Sequence, residues 1–595
     1  MDFRECGDCN ACCTGALVGN ARGHQFGNGK PCIYLVEEKC SIYKDRPEAC
    51  RNYQCAWSQH LFPEWMKPNL SGVLISVETE NGSQYLKVVE LRNNIEENVY
   101  NEINRFCREN GTYYRALQKN APQIAQPPQE NIPQLRGLEQ FVMPLSAMGR
   151  KDLAKDVLDT YALHANNFYQ YENLSKCYFD LKLYLESMHW GETAIDVSPD
   201  IRSRYTMMSN IISVCNNANY PEKALEYIDK CEKIAPLDVD MRMAKAFSLF
   251  LNNEKPRAES ELRNILETEK DLNEETITRL KFNLGNYHLY RDEFLEGMSL
   301  FLNEGGKLEI WKPEAAFIKK DTSVTDVVKK WDGTTIPGAT IICNAEAGLG
   351  DEMVNFRFTE LIEKRGMTPI WYNGISNTES SVTLTKVFTR HGVKVISNLN
   401  EITLTENTYY VQSMHIPVVM KLGYEDFWKG PYLTADPVYI EKWAAQLAPG
   451  KKIGIRWQGN PEYEQNLHRS VPLNLVYDSV KHLDATFYSL QKDVGLSELT
   501  DFPKLVDLSS ELNNWEDTLA VIANMDIVIT SCTSIAHASA AMGKRTFVFV
   551  PISAYYVWSH SMEQSPWYGD NVTILRQDKP RSWTNPADKL KRLLP

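Results

Sequence analysis

The residues with the most evident chemistry are cysteines near the start of the chain. The stretch ECGDCNACC, residues 5–13, holds four thiols, spaced as two overlapping CxxC units that end in a vicinal pair. A CxxC turn lets two thiolates converge on one metal ion, with Zn–S distances near ~2.3 Å. Four more cysteines follow before residue 56. The full set is Cys6, Cys9, Cys12, Cys13, Cys32, Cys40, Cys50 and Cys55.

Eight thiols of this kind leave two metal chemistries open. They suffice for two tetrahedral four-thiolate zinc sites, or for one iron–sulfur cluster with thiols to spare. Thiolate ligands alone do not separate zinc from iron. Disulfides are the competing interpretation, which we disfavour because stable disulfides are rare in a reducing cytoplasm. The spacing therefore predicts a metal-binding module with all eight cysteines as ligands.

The cysteines belong to a longer pattern that resembles a known family. CGDCNACC is followed by PCIYL and then by KCSIYKDRPEACRNYQCAW. This order resembles the cysteine-cluster proteins named for zinc or iron chelation, whose signature is CxxCxxCC with a later IYxxRPxxC box. The resemblance covers residues 1 to about 80. It implies metal binding by the eight cysteines and implies no particular reaction.

The next segments complete this module and connect it to the rest of the chain. GVLISVETENGSQYLKVVEL alternates apolar and polar residues on both sides of NGS, which predicts a β-hairpin. NVYNEINRFCRENG has helical spacing and predicts a helix that ends at Gly111. We therefore predict a small cysteine-rich module over residues 1–118. The composition of residues 119–135, rich in proline and glutamine, predicts a linker.

The middle of the chain, residues 136–312, predicts stacked helices. Similar segments recur every 34 to 37 residues, each with an apolar helix, a short turn and a second helix. This period resembles tetratricopeptide repeats, in which neighbouring repeats stack to share a core. Such a solenoid either presents a surface to a protein or glycan acceptor or acts as a spacer. The DVD sequence at 238–240 is interpreted as turn carboxylates rather than as a metal site.

The remaining sequence alternates strands and helices. TIIC and TPIWY predict buried strands on either side of the helix VNFRFTELIEKRG. KKIGIRW, TFYSLQK, DIVITS and RTFVFVP predict a second series of strands with helices between them. The pattern predicts an α/β fold with two Rossmann-like lobes, 335–435 and 436–595. Ligands of such folds bind at the carboxyl ends of the strands, which predicts a site in a cleft between the lobes.

A glycine-rich box in the first lobe contains a candidate base. In GLGD, the two glycines Gly348 and Gly350 permit a tight turn and close backbone approach. Asp351 then stands at the start of a helix. Its structural interpretation is a helix N-cap, and its functional one is a general base that takes a proton from an acceptor hydroxyl.

The second lobe contains candidate ligands for a diphosphate. In CTSIAH, Thr533 and Ser534 fall where a strand gives way to a helix, so their hydroxyls and free backbone N–H groups could hold phosphates. His537, one turn further on, is either another donor or a satisfied core histidine. Further candidates, whose side chains could neutralise a leaving phosphate or hydrogen-bond the donor, are Arg456, Asn460, Arg469 and Lys492.

The order of these motifs resembles the heptosyltransferase-like glycosyltransferases, which are similar to glycosyltransferase family 9. It resembles especially the branch fused to tetratricopeptide repeats. The matching segments, within about 335–595, are EAGLGDEMVNFRF, IGIRWQGNP, FYSLQK, DIVITSCTSIAHASAAMGKRTFVFVP and SPWY. The resemblance implies a GT-B fold that transfers sugar from a nucleotide sugar to a hydroxyl, with inversion and without metal. It implies Asp351 as the base, with Thr533 and His537 on the donor phosphates. Where the family has Asp, this chain has Cys532, which keeps a binding-only pair of lobes as the alternative.

Composition limits the remaining function classes. The formal net charge of −13 disfavours nucleic-acid binding, which needs concentrated Lys and Arg. No apolar run approaches the ~20 residues of a membrane span, and the N-terminus lacks the pattern of a secretory signal. A cytoplasmic protein is therefore expected. Two hypotheses stand: a glycosyltransferase with a structural or regulatory metal module, or a metal-cluster scaffold or modification factor whose lobes only bind.

Overall fold

The computed structural model has two compact units, Met1–Ala165 and Asn166–Pro595. Among the helices that it describes, none combines the length and the apolar composition needed to cross a bilayer. The structure describes residues 4–594 except 5–8, 17–18, 22–23, 27–30, 37–38, 43–49, 51–52, 54, 81–82, 93–94, 111–113, 119–120, 125–137, 303–327, 347, 374–378, 462, 464 and 493.

The described part of the first unit contains two short ribbons, a four-stranded sheet and four α-helices. Its strands are β1 (Gly19–Ala21), β2 (His24–Phe26), β3 (Leu35–Val36), β4 (Lys39–Cys40), β5 (Val73–Glu80), β6 (Ser83–Glu90), β7 (Tyr114–Gln118) and β8 (Ala121–Ile124). Its helices are α1 (Pro68–Ser71), α2 (Glu97–Asn110), α3 (Leu138–Ala147) and α4 (Lys151–Ala162). The sheet order is β5-β6-β7-β8, and a π-helical turn at Cys12–Ala16 precedes the ribbons.

The structure confirms part of what the sequence predicts here and corrects another part. β5 and β6 pair antiparallel, as the predicted hairpin requires, and α2 confirms the predicted helix, although Gly111 lies outside the described residues. The linker prediction is wrong at residues 121–124, which form β8 against β7. Pro122 fits there because β8 is an edge strand, where a missing N–H leaves no ladder bond unmade.

The second unit begins with four helical hairpins. Their helices are α5 (Phe168–Asp180), α6 (Tyr184–Asp196), α7 (Ile201–Asn217), α8 (Pro221–Glu232), α9 (Val239–Leu251), α10 (Lys255–Thr268), α11 (Glu274–Tyr290) and α12 (Phe294–Leu302). The first helix of each hairpin is N-capped by an Asn or Asp side chain that accepts a backbone N–H three residues on. The four capping residues are Asn167, Asp200, Asp238 and Asn273. Asp238 of the DVD sequence is thus a helix cap.

The turns inside the four hairpins share one backbone conformation. Lys182, Asn219, Asn253 and Asp292 each adopt a left-handed backbone conformation with φ between 61° and 66°. Three of these turns contact the end of the chain. The Asn253 amide donates to the Asp578 carbonyl at 3.2 Å, Asp292 accepts from the Ser561 hydroxyl at 2.6 Å, and Arg581 donates to the Asn219 carbonyl. The turn edge of the solenoid is therefore docked on the second α/β lobe.

The first α/β lobe has a five-stranded parallel sheet. Its strands are β9 (Lys329–Lys330), β10 (Thr340–Asn344), β11 (Thr368–Tyr372), β12 (Lys394–Ile396) and β13 (Thr408–Gln412), in the order β12-β11-β10-β13-β9. Its helices are α13 (Leu349–Phe356), α14 (Phe358–Lys364), α15 (Glu379–Arg390) and α16 (Ile416–Val419). The chain reverses its direction across the sheet between β10 and β13, which is where α/β folds bind ligands.

The second lobe has a seven-stranded sheet of order β16-β15-β14-β17-β18-β20-β19, parallel except for β19. Its strands are β14 (Lys452–Arg456), β15 (Thr486–Ser489), β16 (Leu505–Asp507), β17 (Ile527–Ser531), β18 (Arg545–Val550), β19 (Gln564–Ser565) and β20 (Gly569–Arg576). Its helices are α17 (Pro437–Ala444), α18 (Asn466–Arg469), α19 (Leu473–Val480), α20 (Trp515–Ala523), α21 (Ser534–Ala541) and α22 (Thr584–Leu593). Its switch point lies between β14 and β17. The protein is thus multidomain, with helical repeats followed by two parallel-sheet α/β lobes.

A buried arginine joins the two lobes. Arg357, between α13 and α14, is 7% exposed, and its guanidinium donates to the Phe427 carbonyl at 3.1 Å and to the Tyr432 hydroxyl at 2.7 Å. It also donates to the Trp567 carbonyl and lies 4.5 Å from the centre of the Tyr568 ring. This arginine belongs to the FRF end of the glycine-rich motif, and its contacts give that segment a structural role in holding α13 against the second lobe.

Candidate functional site

The GLGD box lies at the carboxyl edge of the first sheet. β10 ends at Asn344, and α13 begins at Leu349, so Asp351 is the third residue of the helix. Its Oδ2 accepts the Gly348 N–H at 3.0 Å, and the Tyr556 hydroxyl also hydrogen-bonds to the carboxylate. The N-cap is Gly348, so the alternative interpretation of Asp351 as N-cap is wrong by three positions. The carboxylate still serves the same orphan N–H groups of the first turn.

Burial sets the protonation of Asp351. The side chain is only partly exposed, and burial, followed by the Glu346 carboxylate, raises the pKa of Asp351 to about 7. A carboxyl that is half ionised near neutral pH suits general base catalysis, because the ideal catalytic pKa lies near the working pH. Glu346 is itself buried and accepts the Met414 N–H at 2.7 Å. Burial also raises the pKa of Glu352 to about 7.

Arg469 stands at the carboxyl edge of the second sheet. Its guanidinium donates to the Cys532 carbonyl at 3.3 Å and to the Asn466 side chain at 3.2 Å, and it lies 4.4 Å above the Tyr463 ring. Asn460 is exposed beside it, with its carbonyl 3.5 Å from the guanidinium. The structure therefore brings Arg469 and Asn460 to the loop that follows β17.

Arg456 and Thr533 lie at the carboxyl ends of the two strands on either side of this sheet's switch point. Arg456 ends β14, where it lies opposite Thr530 of β17, and it donates to the Leu490 carbonyl at 3.0 Å. The Thr533 hydroxyl lies 3.3 Å from that of Thr530, and Thr533 is the N-cap residue of α21, which begins at Ser534. This confirms that a strand gives way to a helix here. The first backbone N–H groups of α21 have no partner within the helix, which is the feature that anion-binding helix starts use.

His537 occupies a different position from the one a phosphate ligand needs. It is 7% exposed, hydrogen-bonds through Nδ1 to the Tyr568 hydroxyl at 2.9 Å, and stacks on Trp558 with the ring centres 5.1 Å apart. Burial, followed by the Arg357 charge, lowers the pKa of His537 to about 3, so the ring is neutral. The geometry favours the core-histidine interpretation over the donor-phosphate interpretation.

The two lobes touch at this histidine. A Cβ added to Gly350 would lie 2.8 Å from Cδ2 of His537 and 3.6 Å from Cα of Ser534. The start of α13 therefore lies directly on the start of α21, and only glycine permits this approach. The expectation of an open cleft is wrong at Gly350, where the histidine ring fills the space. The glycine next to the box, Gly348, is exposed, and Asp351 keeps part of its surface accessible.

Lys492 is exposed and lies in the loop after β15. The residue before it, Gln491, holds the loops of this edge together, a role that the sequence did not suggest. The Gln491 side chain is fully buried and accepts the Trp457 and Gln458 N–H groups at 3.3 and 3.1 Å. It donates to the carbonyls of Gln458 and Val494 at 3.2 and 2.6 Å. This amide ties the loop after β14 to the loop after β15, and a lone polar residue after a buried strand was its only signal.

Two buried amide side chains at the carboxyl edge of the first sheet, in contrast, lack hydrogen-bond partners among the described residues. Asn344 ends β10 and Gln412 ends β13, and the two residues are register partners. Both side chains are at most 1% exposed, and among the described residues neither their oxygens nor their nitrogens have a hydrogen-bond partner. Unmade hydrogen bonds of buried amides cost free energy, about 1–3 kcal/mol per group. This edge therefore carries unused hydrogen-bonding capacity.

The cysteines that the structure describes in the first unit lie in two clusters, and no three of them have their sulfurs within 4.8 Å of one another. The thiols of Cys13 and Cys40 are hydrogen-bonded, and burial and the nearby Cys40, Cys32 and Cys50 raise the pKa of Cys13 to about 12. Cys9 and Cys12 instead pack on the core that contains Cys55. Cys6 lies outside the described residues. These thiols offer sulfur donors of the type that zinc and iron–sulfur centres use.

Comparison with known proteins gives distant likenesses. No protein-family profile matches the chain. Protein FlbA of Caulobacter vibrioides is 22% identical over 276 residues, which cover 40% of this chain and 44% of FlbA. The chain thus matches less than half the length of that relative.

Three solved structures with related chain traces cover different shares of the chain. A glycosyl transferase family 9 protein of Veillonella parvula covers 44% of this chain and 98% of its own, at 11% identity and a TM-score of 0.34. A mutant O-GlcNAc transferase of Thermobaculum terrenum covers 77% and 89%, at 10% identity and a TM-score of 0.31. A thermophilic TPR protein of Thermus thermophilus covers 32% and 98%, at 16% identity and a TM-score of 0.22. Such low scores leave the function to be argued from the site residues.

Proposed function

We propose that the second unit is a glycosyltransferase that moves a sugar from a nucleotide-sugar donor to a hydroxyl of a protein or glycan acceptor. The observation that carries the proposal is the meeting of two sheet edges of opposite charge. Asp351, with a pKa near neutrality, lies in the first turn of α13, whose start lies directly on the start of α21. Arg469 and Arg456 lie at that second edge. A base and a cationic phosphate site are the two groups that glycosyl transfer from a diphosphate needs.

The reaction follows from these charges. Asp351 takes the proton of the acceptor hydroxyl as its oxygen attacks the anomeric carbon from the face opposite the diphosphate. The bond from that carbon to the diphosphate breaks, which inverts the configuration. Arg469, Arg456, the exposed Lys492 and the N–H groups at the start of α21 offset the charge of the leaving group, so no metal ion is required. Neither lobe contains a DxD pair that would hold one.

Asp351→Asn is the decisive test, because the amide keeps the side-chain size and an oxygen for the Gly348 N–H. We expect turnover to fall about 10²- to 10⁴-fold, the usual contribution of a general base. A panel of nucleotide sugars is first screened by thermal shift, since a donor that binds the native state raises its apparent stability. Donor binding by Asp351→Asn should equal that of the wild type.

A matched control is available in the same lobe. Asp426 accepts the Gly423 N–H at 3.2 Å in a helical turn that copies the arrangement of Asp351 and Gly348. Asp426→Asn should keep both binding and turnover. Wild-type turnover in Asp351→Asn would reject Asp351 as the base, and donor binding without turnover in the wild type would favour the binding-only alternative.

We also propose that the N-terminal cysteines bind zinc or an iron–sulfur cluster. The support is the eight-cysteine pattern of the sequence, together with the closeness of Cys13 to Cys40, Cys32 and Cys50 in the described residues. A structural thiolate centre of this kind crosslinks loops that have little core of their own. Anaerobic purification followed by metal analysis and visible absorption tests it. A brown, absorbing protein indicates iron–sulfur, a colourless protein with bound zinc indicates zinc, and a metal-free protein contradicts the proposal.

A further inference from the structure

A buried histidine directly precedes the candidate phosphate ligand Arg469. His468 is the third residue of α18 and is 3% exposed. Its Nε2 lies 2.9 Å from the carbonyl oxygen of Asn216, in the last turn of the solenoid helix α7. A carbonyl can only accept a hydrogen bond, so Nε2 carries the proton and donates. One residue of α18 is therefore fixed on the helical repeats, and the next lies at the carboxyl edge of the second sheet.

The hydrogen bond from His468 forms at the carboxyl end of α7. The last carbonyls of an α-helix lack the usual i+4 partner and accept from shorter turns or from other parts of the chain. At this end the Asn216 carbonyl accepts from His468, and the Asn219 carbonyl accepts from Arg581. Burial lowers the pKa of His468 to about 4, against the effect of its hydrogen bonds to the backbone of Asn216 and Asn217. The ring is therefore neutral and holds a single proton, the one on Nε2.

The position of α18 depends on tertiary hydrogen bonds, because a helix of one turn is not stable by itself. Gln465, its N-cap residue, accepts the Ser553 hydroxyl at 2.8 Å. The Asn466 side chain accepts the Nε–H of Arg469 at 3.2 Å, and the same guanidinium donates to the Cys532 carbonyl at 3.3 Å. These bonds join α18 to the second lobe, whereas the bond from His468 joins it to the helical repeats. A change at His468 therefore alters how the backbone that carries Arg469 is held.

We propose that His468 is a positioning residue for the donor site. Its bond to α7 holds α18 in the orientation that places the Arg469 guanidinium at the phosphate position. The helical repeats thereby support the donor side of the proposed reaction as well as the acceptor side. This inference rests on the proposed glycosyltransferase function, and in particular on Arg469 as a ligand of the donor diphosphate.

Equilibrium binding of nucleoside diphosphates to the full-length chain tests the proposal. UDP, GDP, ADP and CDP are titrated into the wild type, and the one that binds most tightly is kept as the probe. His468→Leu removes the N–H and keeps a buried side chain of moderate size. The Kd for the probe should rise about 3- to 10-fold, as for the loss of one buried hydrogen bond. The matching nucleoside lacks the phosphates that Arg469 binds, so its Kd should change less than about twofold.

Further variants show whether His468 acts through Arg469. His468→Gln places an amide N–H where Nε2 lies and should restore the wild-type Kd. Combined with Arg469→Met, His468→Leu should weaken probe binding no further than Arg469→Met alone, because both changes remove the same interaction. Where His468→Leu folds poorly, His468→Asn replaces it, since the shorter amide does not reach the Asn216 carbonyl.

Two controls separate this positioning role from general docking of the repeats. Arg581→Met breaks the neighbouring contact with the Asn219 carbonyl, and His482→Leu removes an Nε2 bond of the same 2.9 Å length to the Leu594 carbonyl. Both should leave the Kd for the probe within about twofold, because neither residue adjoins a candidate phosphate ligand.

Each other result has a definite meaning. An unchanged Kd in His468→Leu, additive losses in the double variant with Arg469→Met, or equal weakening by Arg581→Met would overturn the positioning role while leaving the donor site in place. A wild-type chain that binds none of the four nucleotides would reject the proposed donor site, and the role of His468 with it.

Discussion

Two glutamine side chains, one at the carboxyl edge of each sheet, are equally buried but differ in their hydrogen bonding. Gln491 of the second lobe makes four hydrogen bonds to backbone groups of the loops after β14 and β15. Gln412, at the end of β13 in the first lobe, makes none within the described part of the chain. The second edge is therefore a fixed frame whose hydrogen bonds are complete, while the first edge retains polar atoms without such partners. In the proposed reaction, the fixed frame of the second edge suits binding of the diphosphate. The unpartnered polar atoms of the first edge suit binding of the acceptor.

The two edges also differ in the sign of their charges. The first edge holds the carboxyls Glu346, Asp351 and Glu352. The second holds the guanidinium groups of Arg456 and Arg469. In the proposed reaction, the first edge takes a proton while the second offsets the charge of a leaving phosphate. Changes at matched positions of the two edges should therefore have unlike consequences.

Gln491→Leu should have the largest effect on stability. It leaves two buried N–H groups and two carbonyls of the loops without partners, at about 1–3 kcal/mol for each unsatisfied group. We expect the free energy of unfolding to fall by at least about 3 kcal/mol, measured by urea denaturation. A loss below about 1 kcal/mol would mean that the frame at the second edge does not depend on this amide.

Arg469→Met should weaken donor binding without comparable loss of stability. A charge-assisted hydrogen bond contributes about 1.5–3 kcal/mol, so the Kd for a nucleoside diphosphate should rise about 10- to 100-fold. Lys452→Met removes the same charge from the amino end of β14, where its ammonium bonds the Gly450 carbonyl. It should leave the Kd within about twofold, and equal weakening by both variants would point to net charge rather than to a phosphate site.

The two edges should also respond to pH with opposite sign. The pKa of Asp351 is raised to about 7, so the native state holds a proton that the unfolded chain has released above pH 4, and this contribution to stability is lost as pH rises toward 7. The pKa of His537 is lowered to about 3, so its contribution is lost as pH falls below about 6.5. Relative to wild type, Asp351→Asn should gain up to about 4 kcal/mol between pH 4 and 8, since the pKa is raised from 3.8 to about 7 and one pKa unit is about 1.4 kcal/mol.

His537→Gln provides the complementary measurement. Relative to wild type, it should gain stability as the pH falls from 7 to 4, because the variant has no imidazole to charge in the unfolded state. Urea titrations at several pH values give both curves. Parallel curves for the two variants would contradict the assignment of a protonated carboxyl to one edge and a neutral imidazole to the other.

The sequence predicts most of the fold and part of the site, for one physical reason. Buried strands and helices have local apolar periodicity, so TIIC, TPIWY and DIVITS identify β10, β11 and β17 directly. Asp351 and Ser534 could be located because each stands where a strand gives way to a helix. The partners of these residues could not be located from the sequence, because Tyr556 reaches Asp351 from the other lobe and the His537 ring packs against Gly350. Such contacts depend on how lobes pack, which no local pattern encodes.

Gln412→Leu should have the smallest effect. The substitution removes an amide for which the described residues supply no hydrogen-bond partner, and replacing an unsatisfied polar group by an apolar one of similar size is nearly neutral or stabilising. We expect a change in the free energy of unfolding within about 1 kcal/mol, with either no loss or a gain, in the same urea assay used for Gln491→Leu. Asn373 supplies the control within the lobe, because its amide bonds both Thr385 and Ser397, so Asn373→Leu should destabilise clearly. If Gln412→Leu destabilised as much as Asn373→Leu, the first edge would have to contain satisfied hydrogen bonds of its own, and the contrast between the two edges would disappear.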